Sequence, residues 1–210
     1  LPDVKTVDNV DYFTIENDPD VQFYNQMKDV FGNDEFFIIA FKKDNLFTTK
    51  NLTLLKKMTN DLAEIEGIRD IKSLANVDDT IGEQDFFYVE KFLETIPEDT
   101  EELEDLRQRA IENPLYSKNF ISEDGSTAAI VISVHEKPDD PGFRKKIITW
   151  AEGILEQYKA QTGPVHMAGW TYTNLSLSQY MKKDIATFIP VTYIFITLAV
   201  FLFFGNLWLT

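Results

Sequence analysis

Cysteine is absent, which excludes disulfides, thiolate nucleophiles and cysteine-ligated metal centres but does not fix the compartment, because many periplasmic domains also lack it. Histidine occurs only twice. His135 falls at the end of a predicted strand and His166 inside another, and neither is spaced with a second ligand, so no metal site is expected on them. No G-x-S-x-G, P-loop or G-x-G-x-x-G pattern occurs. Carboxylates are so abundant that no pair singles itself out as an acid and base. No catalytic residue and no cofactor is therefore assigned, and an enzymatic role is not expected. Basic charge is also scarce: 20 Lys and Arg stand against 35 Asp and Glu, a formal charge of -15, which repels phosphate backbones and anionic lipid surfaces. Nucleic acid is excluded as a partner on that ground. The chain opens at Leu1 with neither Met nor a signal peptide, and it stops at Thr210 just as an apolar segment is finishing. Both ends read as cuts within a longer protein.

The most informative absence is local. Every charged residue lies between Leu1 and Asp184, and none lies between Ile185 and Thr210. Two different solvents are implied. At ~1.5 Å per residue a helix over 185–210 exceeds the ~30 Å hydrocarbon core, so it is long enough to span, with Ile185, Phe195, Leu202 and Leu207 among its apolar residues. Central Leu, Ile, Phe and Val contribute an insertion free energy on the order of -5 kcal/mol, from which Pro190 and Asn206 subtract. Pro190 lies near the start, where it does least damage or introduces a kink. Lys182 and Lys183 by themselves would place this edge in the cytoplasm, but positive-inside counting applies to short loops, and long domains translocate largely regardless of charge.

Within 1–184 the periodicity alternates between strand and helix. Asn17, Asp18 and Pro19 mark a helix start, Val21, Tyr24, Met27, Lys28 and Phe31 continue it, and Gly32 ends it. Phe36 to Phe41 is too short for a helix and reads as a buried strand. Leu52, Leu55, Thr59, Leu62 and Ile65 trace an amphipathic helix, followed by a strand over Ile68 to Leu74. Ile81 to Glu112 reads as two inserted helices separated at Pro97. The acidic run from Glu98 to Asp105 surrounds a helix start, where negative charge is favoured, and lacks the Gly spacing of a calcium loop. Asn119 to Ser122 and Thr127 to Val134 read as a hairpin about Gly125, the second arm lying in mid-sheet. Phe143, Ile147, Ile148, Ala151, Ile154, Leu155 and Tyr158 share one helical face, and a short strand follows at Val165 to Ala168. This order is that of an α+β, ferredoxin-like split βαβ sandwich, its core at about 34–169 with a helical insertion at about 81–112. From Thr171 the pattern is helical again and runs on into Ile185, which would join the domain rigidly to the membrane segment. Phe86, Phe87, Phe92, Trp150, Trp170 and Tyr172 either line a hydrophobe-binding cleft or belong to the core, and the frequency with which large aromatics are buried favours the core.

Several segments in order resemble exporters of the resistance-nodulation-division (RND) superfamily, in the hydrophobe and mycobacterial-membrane-protein-large branch. They are ENDPDVQFYNQMKDVFGNDEFFIIAF, with Asp18-Pro19, Tyr24, Phe31-Gly32 and Glu35; GIRDIKSL from Gly67 to Leu74; NPLYSKNFISEDGSTAAIVI, with Asn113-Pro114-Leu115 and Ser122 to Gly125; and Gly169 leading through Asp184 and Pro190 into a membrane helix. The resemblance implies a periplasmic porter-type domain over 1–184, followed by one transmembrane helix of a multi-pass inner-membrane protein. It implies export of hydrophobic or lipid-like molecules driven by protons, the relay lying on other helices. The implied partners are the lipid bilayer, the remaining transmembrane helices, a second porter domain and the substrate. A membrane-anchored sensor, and a patched-like or protein-secretion relative of the same superfamily, are the competing readings.

Overall fold

A computed structural model of the chain describes residues 18–32, 35–83, 86–135, 137, 140 and 142–204. Helix α1 (Pro19–Phe31) starts as its sequence dictates: the Asp18 carboxylate accepts from the Asp20 amide at 2.8 Å, Pro19 needs no partner in the first turn, and Gly32 ends the helix at φ +91°. Asn17 lies outside the described residues. Next come β1 (Phe36–Lys42), α2 (Thr49–Ala63) and β2 (Ile68–Lys72). Thr48 caps α2 by accepting from the Asn51 amide at 3.2 Å. Strand β2 stops at Lys72, two residues short of the expected Leu74, because Asn76 closes a turn on it: its Oδ1 accepts from the Ser73 amide and its Nδ2 donates to the Ile71 carbonyl.

The insertion corrects the sequence reading. Instead of two helices it contains a hairpin of β3 (Asp78–Glu83) and β4 (Phe86–Lys91), then one helix, α3 (Thr100–Glu112). Aromatic and β-branched residues in FFYVEK favour the extended chain, and the apolar cluster that looked helical is divided by it. Phe92 and Leu93 enter the core just past the strand, while Phe87 and Val89 stay exposed. The hairpin base is pinned to α3. Tyr116 donates to the Asp78 carbonyl at 2.8 Å and to Asp79 at 3.1 Å, Arg109 pairs with Asp79, and the Arg109 guanidinium lies over Phe92. Burial, then the Asp79 contact, pushes the Tyr116 phenol well above its ordinary value. The acidic run does what helix ends favour: Asp99 accepts from the amides of Glu101 and Glu102.

The second half contains β5 (Thr127–Val134), α4 (Phe143–Thr162), β6 (Val165–Ala168) and α5 (Trp170–Phe204). The four long-range strands form one antiparallel sheet in the order β2-β5-β1-β6, with α2 connecting β1 to β2 and α4 connecting β5 to β6. The predicted first arm of the β5 hairpin is reduced to a single bridge, Ile121 to Ala128. β1 occupies one edge of β5 along its length, and β2 reaches along the other only to Val131, so 120–122 takes what remains.

Register decides the core. Pairing Phe37 with Ile132, Ile39 with Ile130 and Phe41 with Ala128 puts these residues on one face, and all six are fully buried. α2 and α4 cover that face with Leu52, Leu55, Met58 and Leu62 from one and Ile147, Ile148 and Ala151 from the other. Tyr158 ties the two helices by donating to Asp61; burial and this carboxylate push its phenol up to about 12.

Candidate functional site

Among the described residues, the place where the domain meets α5 carries the most constrained chemistry. Of the helix's 35 residues only Thr171 and Asn174 are buried, while Tyr172 and Leu175 pack partly on the core. Beyond Ser178 every residue is exposed except the half-buried Ala199. Phe195 is 69% and Leu202 71% exposed, and Ile185 and Pro190 are bare as well. A row of large apolar side chains that the described residues leave uncovered calls for apolar surroundings. The uncharged stretch 185–204, at ~1.5 Å per residue, is about 30 Å long, the thickness of a bilayer core. Leu207 lies outside the described residues. α5 runs through Pro190 without interruption, although proline offers no amide to the carbonyl of Ala186.

Two devices hold the near end of this helix. The first is Gly169, at φ +106°, whose carbonyl accepts the amide of Thr173 at 2.9 Å and so begins the helix. A Cβ at this position would lie 2.8 Å from the Phe37 Cα and 2.9 Å from the Phe36 carbonyl oxygen. Only glycine has both the backbone freedom and the absence of a side chain that this approach to β1 demands.

The second device is Glu35, the residue before β1. Its carbonyl accepts from the Val134 amide at 2.8 Å, which fixes it at the end of the sheet, and its carboxylate is buried. Arg144, in the first turn of α4, donates from Nε at 3.1 Å to each carboxylate oxygen and from Nη2 to one of them. Thr171, fully buried in the first turn of α5, donates its hydroxyl to the other oxygen at 2.9 Å. One carboxylate thereby joins the sheet, α4 and α5. A buried anion tolerates its site only when paired and hydrogen-bonded, and these donors supply both. Beside the junction, α4, β6 and α5 enclose a groove of about 740 Å³, and a second cavity of about 530 Å³ lies between β4 and α3.

Against known proteins, residues 47–210 match the family described as the MMPL family. The chain belongs to the MMPL family. No curated protein matches it. MMPL proteins are RND-superfamily exporters, and with α5 long and apolar enough to cross a bilayer this MMPL chain is a membrane protein with an exporter-related domain.

The aromatic residues expected in the core are divided by the structure of the MMPL domain. Phe92 is buried and stacks edge-on to Tyr116 at 5.0 Å, whereas Phe87, Trp150 and Trp170 are exposed. Tyr172 lines the larger groove, and the Phe86 side chain is outside the described residues. Nothing in the sequence marked Arg144, or the Thr171 hydroxyl, as a partner of Glu35. They lie 109 and 136 residues from Glu35.

Proposed function

We propose that this chain is the outer-face part of an inner-membrane exporter driven by the proton-motive force, moving hydrophobic or amphiphilic, lipid-like molecules. The strand order β2-β5-β1-β6, with helical crossovers on one face, supports reading residues 1–184 as a porter domain on the periplasmic side with a ferredoxin-like core at about 34–169, and 185–210 as the membrane segment. The role is mechanical and not catalytic. The observation that carries this reading is the unbroken path from lipid to sheet: α5 leaves the apolar stretch, passes Asp184 and ends on Gly169 and Glu35. A tilt imposed on it turns the domain as a body, opening and closing a route for substrate. No charged residue lies in 185–204, so protons pass elsewhere, along other helices of the full-length protein, which also supplies a second porter domain.

The test uses the full-length protein in proteoliposomes with a fluorescent lipid analogue. Transport is expected under an imposed pH gradient and should stop when a protonophore is added. Transport that is indifferent to the gradient, or no transport at all, would overturn the reading.

A further inference from the structure

Val165 and Met167 sit on β6 opposite Phe41 and Ile39. Those two β1 residues are fully buried under the helices, but β6 is the edge strand, and there the same apolar face is only half covered. The core's surface therefore continues into an open trough whose lining includes Leu155 and Tyr172. Its volume of about 740 Å³ falls within the ~300 to 1,000 Å³ typical of small-molecule sites. At Gly163 a Cβ would meet nothing within 4 Å, so the trough is also open at its turn.

The rim has a definite sign. Glu152 and Glu156 lie one helical turn apart on α4, and Lys159 donates to both carboxylate oxygens of Glu156 at 2.9 and 3.0 Å. Among the described residues Glu152 has no such cation. The groove thus presents an apolar floor, one uncompensated carboxylate and a tyrosine ring, in a chain whose overall charge of -15 draws cations from solution.

We infer that this groove binds a single-chain cationic amphiphile, its alkyl chain on Leu155, Val165 and Met167 and its ammonium group between Glu152 and the Tyr172 ring. The inference rests on the export reading and adds to it a site and a charge class. Tyr172 belongs to the first turn of α5, so an occupant touches the element whose tilt moves the domain. An anionic chain of the same length meets the carboxylates and is refused.

The experiment is protection from labelling. In the full-length protein in nanodiscs, with Met167→Cys as its single reactive cysteine, maleimide labelling is timed with dodecyltrimethylammonium, dodecyl sulfate or dodecyl maltoside, each below its micelle concentration. The cationic probe should slow labelling at a concentration about tenfold lower than the anionic one needs, the effect expected of one exposed ion pair and one ring–cation contact. Adding Glu152→Lys, an exposed change that leaves the core alone, should erase or reverse that preference. Equal protection by all three probes, or a preference that survives Glu152→Lys, would overturn the site. So would a cysteine at 167 that is unreactive without any probe, since another segment would then fill the groove. Selective protection in a protein that fails the proton-driven transport test would keep the groove and sink the export reading, and the reverse outcome would do the opposite.

Discussion

Gly169→Ala is expected to destabilise the domain by about 3 to 5 kcal/mol, the sum of a left-handed backbone forced on a residue with a Cβ and a collision that a packed strand cannot relieve. The colliding atoms belong to the backbone of Phe36 and Phe37 in a central strand, and no side-chain rotation moves them. In thermal unfolding a domain of this size should lose about 10 °C. Gly163→Ala provides the calibration. It has φ +75° and ψ −150°, a region that side chains avoid, but nothing within 4 Å of its Cβ, so it carries the backbone strain alone, about 1 to 3 kcal/mol. If the two substitutions cost the same, the close approach of the α5 start to β1 is not what holds the junction.

Arg144→Ala should cost about 3 to 5 kcal/mol, because it leaves the Glu35 carboxylate buried without its cation. Removing both partners with Glu35→Ala and Arg144→Ala should be milder than removing the arginine alone, since no orphaned charge remains; denaturant unfolding of the two single variants and the double variant measures the coupling. Thr171→Val keeps the shape and removes only the hydroxyl donated to Glu35 from α5, for about 1.5 to 3 kcal/mol. A double variant no more stable than Arg144→Ala would contradict the assignment of Glu35 as a charge held by that arginine.

What the sequence made legible follows from the range of each interaction. Helix α1 was marked by Asp18, Pro19 and Gly32, all within one turn of its ends, β1 by a continuous apolar run too short for a helix, and α4 by the spacing of its own apolar residues. The membrane segment was legible because solvent acts on composition, and twenty-six residues without charge leave few choices. The β3–β4 hairpin was missed because Phe86 to Val89 is an unbroken apolar and aromatic run, which fits either period until packing selects one. The junction was out of reach for a different reason. Glu35 stood in the resemblance as one acid before a strand, while its partners on α4 and α5 are brought to it only by the closed sheet. The groove depends likewise on β6 being an edge, a property of strand order that four residues of sequence do not disclose.

α5 and the sheet are expected to move as one piece. Spin labels at Asn60 on α2 and at Leu198 within the bilayer, in nanodiscs, measure this directly by electron–electron distance spectroscopy. A single narrow distance peak is predicted, broadening in Thr171→Val as the grip on α5 loosens. A broad or two-peaked distribution in the unaltered protein, as a flexible joint at Lys182 to Ala186 would produce, would contradict it.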